Sequence, residues 1–280
     1  MRIGVTAFLT DEAMGPVEFA VAAEERGFAS IYLPEHTHLP VSSDAPPALV
    51  RGVSVGQYRR SLDPFVALGA AAAATTNLRL GTGVCLVAQH DPIVLAKTVA
   101  TLDVVSRGRF VFGMGFGWNE AELAGHGVAY SSRRAVAREH VLCMQALWAD
   151  DVAQFHGEFV NLDPCYSWPK PVQSPRPPVL VGGGRGPKLF AAIAQYADGW
   201  MPIGGAGLSA SLPELRRAFE DAGRNPDSIE VVPFGTLPDP GKLGHLAALG
   251  CCEVVLRVPA GSAEEMLPLL DDFAAFVGRY

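Results

Sequence analysis

Short apolar runs suited to strands alternate along almost the whole chain with longer stretches whose apolar residues recur at helical spacing. Arg2–Phe8 is the first such run. In Ala13–Arg26, Val17, Phe19, Ala20 and Ala23 form one helical face and Gly27 supplies a stop. Ser30–Leu33 is the second strand. Asp63-Pro64 opens an Ala-rich helix to Thr75, and Asp91-Pro92 opens another through Val105, each an acidic cap followed by proline. Between them lies the third strand, Leu78–Val87; the fourth is Arg109–Gly113, with helical patterns over Trp118–Leu123 and Ser132–Trp148. Val179–Val181, Gly199–Ile203, Ile229–Pro233 and Glu253–Val258 complete the strands. Helical patterns over Pro187–Tyr196, Leu212–Ala222, Gly241–Ala248 and Ala263–Val277 follow them in turn.

Eight strand and helix units in one chain predict an α/β fold in which a parallel sheet closes into a (β/α)8 TIM barrel, a single domain over residues 1–280. Two polar, Pro-rich stretches, Leu39–Ser61 and Phe155–Pro178, read as insertions after strands 2 and 4. A doubly wound sheet would need a Gly-rich fingerprint after the first strand, and Val5-Thr6-Ala7-Phe8-Leu9 has none.

Composition narrows the partners. The net charge of −7, with no basic cluster, excludes nucleic acid and anionic membrane as main partners. The longest charge-free runs, Pro64–Leu78 and Gly199–Pro213, fall short of the ~20 residues of a membrane span, so none is expected. Met1 leads directly into a strand pattern with Asp11 and Glu12 close behind, unlike a signal peptide, and the expected location is the cytosol. Five cysteines without C-x-x-C spacing predict buried thiols rather than disulfides or a thiolate metal site.

Barrel chemistry comes from the loops after the strands, so the informative positions are Thr6, Ala7 and Phe8, Glu35-His36, Gly83–Cys85, Gly113–Trp118 and Gly182–Gly186. Gly183, Gly184, Arg185 and Gly186 join a strand to a helix that starts at Pro187-Lys188. Backbone amides, the positive helix end and two cationic side chains there would suit a phosphate, though the run would also serve as a flexible turn. Gly115, Phe116, Gly117 and Trp118 alternate bare backbone with aromatics, which suits a flat ligand or, equally, a Gly-rich strand end. Gly81 and Gly83 would let the third strand bulge or kink.

His36 is the side chain best matched to moving a proton near neutral pH, against the alternative of a loop histidine that only hydrogen-bonds. His36 and His38 would also make a two-histidine metal pair, but the eighth strand ends Leu256-Arg257-Val258-Pro259 and the fifth ends in glycines. The remaining ligands are missing, and no metal is expected.

Several segments, taken in order, resemble the bacterial luciferase-like flavin and deazaflavin oxidoreductase superfamily, most closely its small branch that uses coenzyme F420. They are Pro34-Glu35-His36, Leu80-Gly81-Thr82-Gly83-Val84, Asp91-Pro92 through Arg109, Gly113 through Asn119, Phe155-His156-Gly157, Pro169-Lys170-Pro171-Val172-Gln173, Val181 through Gly184 and Ala197-Asp198-Gly199-Trp200. The resemblance implies a deazaflavin at the strand C-terminal mouth, its ring backed by a non-proline cis peptide at Gly83-Val84. It implies that His36 stands near the carbon exchanging hydride, and that Gly183–Gly186 hold the cofactor phosphate, with Arg185 and Lys188 near its acidic tail. Thr6, Ala7, Glu35, His36 and residues 115–118 would complete the cofactor surround.

Trp118 stands where sugar-phosphate dehydrogenases of the family carry an acid, which implies an apolar or aromatic small-molecule substrate. A homodimer packed through the second and third helices, near Ala70–Ala74, is expected from the same likeness. An FMN-dependent monooxygenase using reduced flavin and oxygen is the alternative within the family. A deazaflavin-binding carrier or sensor is the alternative outside enzymes, since no second acid-base residue accompanies His36 in the sequence.

Overall fold

The computed structural model describes residues 1–41 and 54–280. The first half contains β1 (Arg2–Thr6), α1 (Pro16–Glu25), β2 (Ser30–Leu33), α2 (Val55–Arg60), α3 (Pro64–Ala74), β3 (Arg79–Thr82), β4 (Cys85–Leu86), α4 (Pro92–Val105) and β5 (Phe110–Gly115). Next come α5 (Glu120–Gly125), α6 (Arg133–Ala149), β6 (Ala153–His156), β7 (Asn161–Cys165), β8 (Val179–Gly182) and α7 (Pro187–Tyr196). The chain continues with β9 (Gly199–Met201), α8 (Leu208–Asp221), β10 (Glu230–Val231), β11 (Phe234–Thr236), α9 (Pro240–Ala248), β12 (Glu253–Arg257) and α10 (Ala263–Ala274).

The parallel sheet runs β10-β9-β8-β5-β3-β2-β1-β12-β11, with β4 beside β5. Its two named ends are one chain segment. Val232 N donates to Trp200 O (2.9 Å) and Phe234 N to Pro202 O (2.8 Å) on the β9 side. On the β12 side Cys252 N donates to Val231 O (3.2 Å) and Val255 N to Pro233 O (2.9 Å). The sheet is therefore strongly curled, and the fold is the expected TIM-barrel-like α/β architecture, with the helices outside.

The caps read from sequence form as expected. The Asp63 carboxylate accepts from Val66 N and that of Asp91 from Ile93 N and Val94 N, each followed by proline, so α3 and α4 start where their orphan amides are satisfied. Inside the sheet, Tyr32, Val111, Leu180, Met201, Val232 and Val255 pack as one buried layer. Below that layer's mouth side the strands run so close that a Cβ on Gly113 would lie 2.0 Å from Thr82 O.

Four departures from the expected elements stand out. The predicted third strand is broken after Thr82: the Gly83-Val84 peptide is cis, and Cys85 and Leu86 turn to pair with Met114 and Gly115 of β5. Within the polar stretch after β2, α2 forms because Ser54 and Gln57 cap it reciprocally. The predicted irregular excursion from Phe155 begins instead as the antiparallel hairpin β6–β7. Its turn is anchored by the Glu139 carboxylate, which accepts from the amides of Glu158 (2.9 Å), Phe159 (2.7 Å) and Val160 (3.1 Å), an acceptor on α6 that local patterning does not reveal. The expected helix from Leu212 starts earlier, at Leu208, with Pro213 inside it. All five cysteines are free, three of them buried. Among the described residues no helix is long and apolar enough to cross a membrane.

Candidate functional site

A cavity of about 370 Å³ opens at the C-terminal ends of the strands, within the roughly 300–1,000 Å³ of small-molecule sites. Of the residues expected from sequence, Thr6, Ala7, Glu35, His36, Gly83, Val84, Gly115, Phe116, Gly117, Trp118, Gly183 and Gly184 all line it. Arg185 and Gly186 do not: the Arg185 guanidinium lies against Gly207, and Gly186 is the N-cap of α7.

Val84 occupies the cavity between two bare strand backbones. A Cβ on Gly115 would lie 2.5 Å from Val84 Cγ2, and one on Gly182 would lie 2.9 Å from Val84 Cγ1. The glycines of the fourth and fifth barrel strands thus make room for this one side chain, which a sequence pattern of scattered glycines does not disclose.

Glu35 is buried and fully engaged. Its Oε2 accepts from Leu86 N (2.6 Å) and its Oε1 meets His90 Nε2 (2.8 Å), so it ties the loop after β2 to the short strand β4 beside Val84. Burial works to raise the Glu35 pKa, but the His90 hydrogen bond and charge and the Leu86 amide outweigh it and hold the group below its ordinary 4.5. Burial likewise works against charge on His90, and its bond to Glu35 outweighs it, raising His90 above 6.5.

Glu35 therefore adds stability that is present above its unfolded value and lost as pH falls through the folded one. His90 adds stability that is present below its unfolded value and lost as pH rises through its raised one. The melting temperature of His90→Gln is expected to fall furthest below wild type between about pH 5 and 6.5 and to converge on it as pH rises through the raised His90 value. A difference independent of pH across that range would show that the pair does not form.

His36 is almost fully buried, and its Nδ1 lies 2.9 Å from Glu122 Oε2. With a carboxylate accepting at Nδ1, the tautomer carries its proton there and leaves Nε2 as the acceptor. The ring packs edge-on against Tyr58 (4.8 Å) and Trp118 (5.9 Å), so its position is fixed from three directions. Glu122 is itself held by α5, whose cap Asn119 accepts from Glu122 N (3.1 Å). Its second oxygen, Oε1, is buried with no hydrogen-bond partner among the described residues. His38 takes other partners: Thr37 Oγ1 lies between His38 Nδ1 (3.0 Å) and His126 Nε2 (2.7 Å).

Sequence reasoning missed Glu122, Tyr58 and the cationic side chains of the mouth. Arg133 and Arg134, at the start of α6, and Arg257, at the end of β12, all line the cavity. Arg134 lies over the Phe116 ring (4.8 Å), beside β8 and its Gly182–Gly184 wall, since β5 and β8 are paired neighbours.

A curled parallel sheet with an open, histidine-bearing cavity at its strand ends defines a barrel with a candidate small-molecule site there. Residues 10–237 match the family model described as luciferase-like monooxygenase, and the chain belongs to that family of oxidoreductases. It is similar to an uncharacterised protein of Mycobacterium tuberculosis, 42% identical over all of this chain and 97% of that one. It is also similar to the F420-dependent glucose-6-phosphate dehydrogenase of Kineococcus radiotolerans, 32% identical over 82% of this chain and 66% of that one. Among solved structures, the monooxygenase RslO1 from Streptomyces bottropensis superposes with a TM-score of 0.77 at 22% identity, covering 98% of each chain.

Proposed function

We propose that the protein transfers a hydride between the deazaflavin F420 and a small organic substrate. The observation that carries the reading is His36, locked at Nδ1 by Glu122 and facing a cavity whose wall is bare backbone around Val84. The residues present fit a flat ring with an anionic tail. Val84, Gly115 and Gly83 would support the ring. Gly183, Gly184, the start of α7 and the nearby Arg134 would hold a phosphate. Arg185 and Lys188 would meet the acidic tail only outside the cavity. The identity to a relative named as F420-dependent favours the deazaflavin over FMN.

When bound, the deazaflavin supplies two-electron hydride chemistry. Phe8, Tyr58 and Trp118 give the substrate an apolar, aromatic surround. His36 Nε2 accepts the hydroxyl proton of an alcohol as its carbon gives up hydride, and returns a proton to oxygen in the reverse direction. Glu122 stabilises the imidazolium that forms, so one base suffices.

The same reading takes the whole chain as one barrel domain with insertions after the second and fourth strands, acting in the cytosol. It takes the exposed apolar side chains Val66, Ile93 and Val94 on α3 and α4 as the face of a homodimer.

The test is turnover with a panel of alcohols and ketones. The expected result is substrate-dependent bleaching or recovery of the deazaflavin's visible absorbance without oxygen uptake. Oxygen uptake with reduced FMN and substrate would replace this reading by a monooxygenase. Firm deazaflavin binding with no turnover across the panel would replace it by a carrier.

A further inference from the structure

Seven arginines are half-buried among the described residues, and six of them are held by fixed acceptors. Arg26 meets Asp271, Arg79 meets Glu253, Arg176 meets Asp198, and Arg109, Arg133 and Arg224 donate to backbone carbonyls. Arg257 is the seventh, and no described residue makes a hydrogen bond or ion pair with it. It ends β12 opposite Thr6 of β1 and faces the cavity. Its guanidinium is half-buried, faces the cavity and meets no protein acceptor among the described residues, so a ligand anion there would take the place that protein oxygens take at the other six.

Its neighbour is Tyr58. Burial raises the Tyr58 phenol to about 12 and the charge of Arg257 acts against that rise, which places the two groups within electrostatic reach. Tyr58 in turn packs on Phe8 (4.9 Å), His36 (4.8 Å) and Trp118 (6.0 Å). Arg257 therefore borders the aromatic surround of the proton-transfer residue.

It does not border the other cationic site. In the strand order β12 stands four places from β5, whose following segment carries Phe116 and Arg134. An eight-place ring puts the two on opposite sides of the mouth. On the proposed reading one ligand end would meet Arg134 and the glycine wall, and Arg257 stands across the cavity from them.

We propose that Arg257, on the cavity wall it shares with Tyr58, binds a carboxylate on the substrate. The substrate class is then an aromatic or alkyl acid, with its apolar body against Phe8, Tyr58 and Trp118 and its reacting carbon toward His36. This rests on the hydride-transfer reading for the word substrate, whereas the anion site rests on geometry alone. A planar fork of donors suits a carboxylate better than an alcohol or an amide.

The other source of the same chemistry is an acidic group of the cofactor, and the experiment separates the two. The full chain, alone and saturated with F420, is titrated by calorimetry with benzoate, phenylacetate and cinnamate and with the corresponding neutral amides. At least one acid is expected to bind about tenfold or more tightly than its amide. Arg257→Gln should abolish that preference, Arg257→Lys should keep part of it, and F420 affinity and melting temperature should stay at wild-type values in both.

Equal binding of acids and amides, or no saturable binding of any acid, overturns the proposal. So does an Arg257→Gln protein that keeps the preference, or one that loses it only with a loss of F420 affinity, which assigns the arginine to the cofactor. The readout needs no turnover, so an acid preference that survives absent hydride transfer fails the functional reading and not the site.

Discussion

Replacing His36 by alanine is expected to slow turnover by roughly 10²–10⁴-fold while leaving deazaflavin affinity within a few-fold of wild type. The ring sits edge-on to Tyr58 and Trp118 and is tied to Glu122, so it is placed to exchange a proton rather than to carry ligand weight. Glu122→Gln keeps the shape but exchanges a carboxylate for an amide that can present either an acceptor or a donor to Nδ1. Its expected cost is smaller, about 10–100-fold in kcat, with KM little changed. Unaltered turnover in His36→Ala with every accepted substrate would remove the proton-transfer role.

The second large effect is expected at the wall of the cavity. Gly115→Ala puts a methyl 2.5 Å from Val84 Cγ2, inside any real carbon contact, so Val84 must move into the cavity or the strand must yield. Overpacking of this kind costs about 1–3 kcal/mol, and the displaced side chain takes space the ring would occupy. Deazaflavin affinity should fall about tenfold or more, read by equilibrium titration, with a lower melting temperature. Gly69→Ala is the control, because its Cβ meets nothing within 4 Å and lies in α3; it should be neutral or stabilising by about 0.5–1 kcal/mol. Equal ring affinity in Gly115→Ala and wild type would show that the ring does not rest against Val84.

Much of the architecture was legible because barrel strands are short apolar runs and their helices begin with strong local signals. Asp63-Pro64 and Asp91-Pro92 specify helix starts within three residues, and those caps form. The break in the third strand was only half legible: Gly81 and Gly83 marked a place where the backbone departs from a plain strand. The pairing of Cys85 with Met114 depends on a neighbour that the local pattern does not name.

The site followed the same division. Residues at strand ends were found because topology alone sends them to the mouth, which is why Thr6, His36, Val84, Gly115 and Gly183 meet there. Glu122 was hidden because it sits 86 positions from His36 and reads as an ordinary residue in the first turn of a capped helix. Tyr58 was hidden inside a polar stretch whose pattern does not show that this one side chain of α2 is buried. Arg257 was visible at the end of the last strand, but sequence cannot show that six other half-buried arginines are satisfied and this one is not. The phosphate reading divided as well: Gly183 and Gly184 reach the cavity, while Arg185 turns to Gly207.

Equilibrium titration of the purified chain with F420 and, separately, with FMN tests most directly whether the strand-end cavity is built for a flat redox ring. The account predicts saturable 1:1 binding of the deazaflavin, tighter than FMN and weakened by Gly115→Ala but not by His36→Ala. Absence of saturable binding by either ring, or binding indifferent to Gly115→Ala, would contradict it.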